Sequence, residues 1–298
     1  MTRLAFLGSP EAAVVPLRAL QGAGHDVALV VTAPDRRRGR GGALVPTPVK
    51  RCALELGIPV SSRVGDVVDA RVEIGVVVAF GTLIRPEILT QVPMANLHFS
   101  LLPRWRGAAP VERAILAGDD RTGVCLMALE ETLDTGPVYS CVEVPIRPGE
   151  TAAELKWRLA DIGADLLVER LAGGIATLGT PVPQQGEAVY AAKMDRAELH
   201  LDWERPAVEL ERLVRVGRAW TTFRERRLIV ERARVVIPAG GAGAEPDRLA
   251  PGTLLGAEVV CGVGSLELLE VRSEARSVQA FGAWRHGSRP VAGERFGD

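Results

Sequence analysis

Four apolar runs in the first hundred residues, at 4–7, 27–32, 74–80 and 95–99, constrain the fold more than any other feature of the chain. Each has the length of a strand and reads as apolar on both faces, so both faces need a cover. Segments with helical spacing lie between them, at 11–23 and around 49–56. That alternation predicts a parallel sheet of doubly wound type, with function gathered at the carboxyl ends of its strands. Two more strands are expected at 124–129 and 138–145, separated by the turn Leu133-Asp-Thr-Gly-Pro137. Thr151-Ala-Ala-Glu154 is a capping box, and it opens a long amphipathic helix reaching about Leu171.

The texture then changes. Residues 178–192 hold Pro181, Pro183 and Gly186 with little periodicity and read as a linker. Beyond 205 come a short helix at 207–216, strands such as 228–236 and 265–271, and a Gly/Ala/Pro-rich loop at 238–251. A small β-barrel is the natural reading. The expected organisation is therefore a catalytic domain at 1–178, a linker at 179–204 and a C-terminal domain at 205–298. A chain of 298 residues suits one large domain plus a smaller one and can bury a sizeable core. The formal net charge of -1 gives no whole-molecule field to attract nucleic acid, so any such argument rests on local patches.

Cys52, Cys125, Cys141 and Cys261 are scattered without CxxC or Cys/His spacing. Neither a zinc site nor a disulfide framework is suggested, and the cysteines read as small hydrophobes in a reducing compartment. No secretory leader and no membrane-length apolar segment is visible, which makes the cytoplasm the expected location.

The chemistry concentrates in NLHFSLLPRWRGAAP at 96–110. On a strand, Asn96 and His98 project to the same face at the strand's carboxyl end. An amide that donates hydrogen bonds beside an imidazole that handles protons suits acyl transfer through an oxyanion-bearing intermediate. The imidazole needs a carboxylate to orient it, and Asp134, in the exposed turn between two strands, is the best candidate. No serine or cysteine occupies a nucleophile elbow, so direct transfer to an external amine is favoured over an acyl-enzyme. His25, His200 and His286 lack partner motifs and read as surface or capping residues; Trp105 reads as packing under the active-site loop.

The 96–110 run, together with Ala117-Gly-Asp119, Thr122-Gly123 and Leu133-Asp-Thr-Gly-Pro137, strongly resembles the folate-dependent formyltransferases, and within them those acting on initiator methionyl-tRNA. Weaker markers, including Phe6-Leu-Gly-Ser-Pro10, Pro34-Asp-Arg36, Val78-Ala-Phe-Gly81 and Tyr190-Ala-Ala-Lys193, extend the resemblance over nearly the whole chain. It implies an α/β fold: a Rossmann-like formyltransferase domain with a parallel-rich sheet, followed by a small OB-like β-barrel domain that helps hold tRNA. It implies 10-formyltetrahydrofolate as co-substrate, no metal, initiator methionyl-tRNA as partner and a monomeric state.

Carried over by motif, Asn96, His98 and Asp134 form the catalytic trio, and Ser100, Leu101, Leu102 and Pro103 match the folate-contacting turn. Thr82, Leu83 and Ile84 would line the pterin pocket. The arginine-rich loop, with Arg36, Arg37, Arg38 and Arg40, suits phosphate contacts on a nucleic acid. Arginines at 212, 215, 218, 224, 226, 227, 232 and 234 could extend that surface, although acids interleave with them. Departures from the family pattern include Ala12 where an aromatic is common, Phe80 for a tyrosine and Cys125 for a small hydroxyl residue.

Overall fold

In the computed structural model, which describes residues 1–38, 42–236, 249–291 and 293–297, the expected strands and helices alternate in order. They are β1 (Arg3–Gly8), α1 (Val14–Gly22), β2 (Asp26–Val31), β3 (Arg36–Arg38), β4 (Ala43–Val45), α2 (Pro48–Glu55), β5 (Val60–Ser61), α3 (Asp66–Asp69), β6 (Ile74–Val78), α4 (Pro86–Leu89) and β7 (Met94–His98). There follow β8 (Arg106–Gly107), α5 (Pro110–Ala117), β9 (Arg121–Ala128), β10 (Val138–Pro145), α6 (Ala152–Leu171) and β11 (Tyr190–Ala191). The chain divides into two compact units. One comprises Met1–Val111, Arg121–Pro145 and Leu155–Ala192, the other Glu112–Asp120, Ile146–Glu154 and Lys193–Asp298.

The first unit is built on a seven-stranded sheet in the order β10-β9-β7-β6-β1-β2-β5. Strands β5, β2, β1, β6 and β7 run parallel, whereas β9 is antiparallel to β7 and β10 antiparallel to β9. All five residues of β6 and all five of β7 are buried, as strands covered on both faces must be. The sheet is thus parallel-rich with an antiparallel margin, and β7 is the strand at which direction reverses.

Two segments expected to be irregular carry structure. In the arginine-rich stretch, β3 and β4 pair as an antiparallel hairpin with Arg37 opposite Leu44. Its base is tied down by Lys50, whose ammonium donates to both oxygens of Asp35 at 2.8 Å. Residues 178–192 are also pinned. Val182 exchanges both backbone hydrogen bonds with Val138, and β11 pairs in parallel with β8. Lack of periodicity was a poor guide here, because two isolated attachments need no repeating pattern.

The capping box forms as expected: Thr151 N–H donates to Glu154 Oε2 at 2.8 Å, and Glu154 N–H donates back to Thr151 Oγ1 at 3.2 Å. The four cysteines separate into two kinds. Cys52 and Cys261 are free and buried, as small hydrophobes should be. Cys125 and Cys141, directly opposite each other on β9 and β10, are disulfide-bonded, against the expectation of four free thiols.

The second unit adds α7 (Ala207–Val216), β12 (Trp220–Phe223), β13 (Arg226–Val236), β14 (Leu254–Leu255), β15 (Glu258–Val260), β16 (Ser265–Ser273), β17 (Gln279–Ala280) and α8 (Phe281–Ser288). Its strands form one antiparallel sheet in the order β12-β13-β16-β15-β14, with β17 on β16. Trp203, Phe223, Phe281, Trp284 and Phe296 cluster in its core, and Trp203 Nε1 donates to Thr221 Oγ1 at 3.0 Å. Most of the Gly/Ala/Pro-rich loop, 238–248, lies outside the described residues. Among the described residues, no helix is long and apolar enough to cross a membrane.

Candidate active site

The site is assembled entirely within the first unit. β7 places Asn96 and His98 two residues apart on one face, while the turn before β10 brings in Asp134 from 38 residues away. All three side chains are buried. The Asp134 carboxylate stands at the centre: Asn96 Nδ2 donates to its Oδ1 at 3.4 Å, and His98 Nδ1 lies 3.6 Å from its Oδ2. The Gly107 N–H donates to Oδ2 at 2.8 Å. Glycine is required there, since φ is 118° and a Cβ would stand 2.8 Å from the Ala191 carbonyl oxygen.

His98 Nε2 meets the Trp105 carbonyl at 2.8 Å. A carbonyl only accepts, so Nε2 carries the hydrogen and Nδ1 is the nitrogen turned toward the carboxylate. Trp105 is therefore a backbone partner of His98 as well as a packed side chain, with the Arg104 guanidinium 4.5 Å above its ring. Asp134 itself has φ of 54°, in the left-handed region that few non-glycine residues occupy.

Two loops expected to form a substrate pocket leave neighbouring parallel strands, β6 and β7, at their carboxyl ends. After β6 come Thr82 and Leu83, both exposed, and Ile84, which is buried. After β7 come Ser100, fully buried with its hydroxyl donating to the Arg104 carbonyl at 2.6 Å, and the half-buried Leu101, Leu102 and Pro103. Of the arginines expected to meet a nucleic acid, Arg36 and Arg37 are exposed on β3, and Arg37 donates to the Gly42 carbonyl at 3.2 Å. Arg40 and the side chain of Arg38 lie outside the described residues.

In the second unit, Arg224 and Arg234 are ion-paired with Glu294 and Glu267, and Arg215 donates to the Glu150 carbonyl at 2.8 Å. With Arg215 also 3.6 Å from Glu211, part of the positive charge counted in that sequence is already compensated. His25, expected in a surface or capping role, is buried rather than at the surface; its Nδ1 accepts the backbone N–H of Thr2 at 3.4 Å. Among the described residues, no group of three or more His, Cys, Asp and Glu side chains is placed to hold a metal ion.

One neighbour of Asp134 escaped sequence reasoning. Gln184, in the stretch read as a linker, donates through Nε2 to the carbonyls of both Asp134 and Gly136 at 2.8 Å. Its Oε1 accepts from Arg106 Nε at 3.0 Å and from a terminal guanidinium nitrogen at 2.7 Å. Only proximity to proline marked this residue, and proline spoke for a turn.

The chain has relatives among known proteins. The formyl transferase family matches residues 2–171, and its C-terminal domain matches 193–289. A methionyl-tRNA formyltransferase of Roseobacter denitrificans is 41% identical over an alignment 309 positions long, covering 99% of this chain and 98% of that one. The methionyl-tRNA formyltransferase of Symbiobacterium thermophilum is 42% identical, covering 99% and 95%. Among solved structures, an N-formyltransferase of Helicobacter canadensis in complex with folinic acid and dTDP-3-aminofucose superposes with a TM-score of 0.67 at 15% identity, over 90% of this chain and 99% of that one. That likeness concerns the fold. Two matching family domains and full-length relatives above 40% identity establish that the chain belongs to the formyl transferase family.

Proposed function

We propose that the chain transfers a formyl group from 10-formyltetrahydrofolate to the free amino group of methionine on initiator methionyl-tRNA, the step that prepares this tRNA for translation initiation. The observation that carries the reading is the convergence of Asn96, His98 and the Gly107 N–H on the Asp134 carboxylate, in a chain alignable end to end with methionyl-tRNA formyltransferases.

Each residue has a task suited to its contacts. One amide hydrogen of Asn96 faces Asp134; the second would donate to the formyl oxygen as charge grows on it. Asp134 and the Nδ1 side of His98 would accept the proton that the attacking amine sheds, and that proton would end on the departing nitrogen of the donor. Ser100, Leu101, Leu102 and Pro103, with Thr82, Leu83 and Ile84, would hold the folate. Leu83, 73% exposed beside the strand ends, is an apolar surface suited to a flat heterocycle. Arg36, Arg37, Arg38 and Arg40 would contact tRNA phosphates, and the C-terminal segment 205–298, read as an OB-like barrel, would steady the rest of the tRNA. We place the enzyme in the cytoplasm, acting as a monomer.

The test is formyl transfer to methionyl initiator tRNA, run beside an amino-sugar nucleotide, with His98→Ala as control. The expected result is formyl-methionyl-tRNA alone, with the variant slower by roughly a hundredfold or more. Product on the sugar only would overturn the acceptor.

A further inference from the structure

We propose that Gln184 is a positioning residue for Asp134, fixing the carboxylate against Asn96 and His98; the proposal rests on the catalytic reading of that trio. The donors and acceptors leave the amide a single orientation. Arg106 can only donate, so it must face Oε1, and the carbonyls of Asp134 and Gly136 can only accept, so they must face Nε2. Four hydrogen bonds, two of them charge-assisted, therefore lock one side chain across the turn that presents Asp134.

That turn needs a lock. Asp134 has φ of 54°, a conformation with a steric cost for a residue bearing Cβ, and it persists only where neighbours over-determine it. The backbone on either side of Gln184 is anchored independently. Val182 exchanges hydrogen bonds with Val138 just after the turn, and the Val189 carbonyl accepts the Arg106 N–H at 2.9 Å just before Gly107. The segment 182–191 is thus a strap between the two loops whose backbone and side chains meet at the carboxylate, and Gln184 is its contact with the catalytic turn. A misplacement of about 1 Å at a reacting group can cost on the order of a hundredfold in rate.

The test uses Gln184→Glu, which keeps an acceptor for Arg106 but sets an oxygen against two carbonyl oxygens. We expect kcat to fall about tenfold to a hundredfold, with KM for folate and for tRNA within about twofold and the thermal midpoint little changed. Adding Gln184→Glu to Asp134→Asn should cost little more, because a residue acting through Asp134 has nothing left to position. The Hε1 resonance of His98, one of only four histidines, gives a readout independent of any acceptor. It should move in Gln184→Glu while those of His200 and His286 stay.

An unchanged kcat and an unmoved His98 resonance in a folded Gln184→Glu protein would overturn the proposal, as would full additivity with Asp134→Asn. If Asp134→Asn alone leaves kcat intact, the catalytic reading fails instead, and the resonance still decides whether Gln184 sets the geometry around Asp134.

Discussion

Burial holds the His25 imidazole below its ordinary value, helped by the nearby N-terminal ammonium. The unfolded chain takes up a proton on this residue near pH 6.5, but the folded chain does so only at lower pH. Stability from neutral His25 is therefore complete above that pH and declines as pH falls toward the lowered folded value. Denaturant midpoints should drop between pH 7 and pH 5, and His25→Gln should make the drop shallower; equal slopes would exclude the effect. Thiols give a second residue-scale outcome. Burial pushes the Cys261 thiol up to about 12 and raises that of Cys52. A thiol-reactive dye at pH 8 should label neither in the native protein, two sites after denaturation and four after reduction as well. Four labelled sites without reductant would mean that Cys125 and Cys141 are not bonded. At this scale Asn96 and His98 were legible because a period of two suffices to put them side by side. Gln184 was not: it reaches carbonyls 48 and 50 residues away, and no local pattern encodes such a reach.

Elements were legible where one periodicity governed a long run. The helix at 207–216 and the strands β2, β7 and β10 lie within a residue or so of their expected places. What escaped were pairings decided by register between distant segments: the hairpin of β3 and β4, the short β5, the β8–β11 contact and the disulfide across β9 and β10. Packing between α6 and β7 supplies the prediction here. A Cβ on Gly163 would come within 2.4 Å of Leu97 Cδ2, so the helix sits close to the strand only because that atom is missing. On an exposed helix, Gly→Ala stabilises by about 1 kcal/mol. Gly163→Ala should reverse the sign, destabilising by about 1–3 kcal/mol through overpacking, measurable as a lowered urea midpoint. Because Leu97 lies between Asn96 and His98, kcat should fall in the same variant.

Across the whole molecule, 36 basic and 37 acidic side chains nearly cancel, so tRNA must be drawn to a local surface. The ion pairs of Arg224 and Arg234 diminish the C-terminal contribution and leave more weight on the β3–β4 hairpin. Arg36→Ala should weaken tRNA binding and reduce the slope of log affinity against log salt by about one, read by filter binding at several salt concentrations. An unchanged slope would remove Arg36 from the phosphate contacts. Composition foretold a chain without a global field, but it could not say which arginines are already paired.

The position of β7 has a consequence for how the protein fails. Its five residues are buried and it is hydrogen-bonded on both edges, to β6 and to β9. Amides in such a strand exchange with deuterated water only when the sheet itself opens, so Asn96 and His98 belong to the slowest-exchanging part of the molecule. Warming should not displace these two side chains ahead of the sheet that carries them. Inactivation that sets in below global melting of the first unit would therefore point to the Asp134 turn, which lies outside the strands, and not to β7.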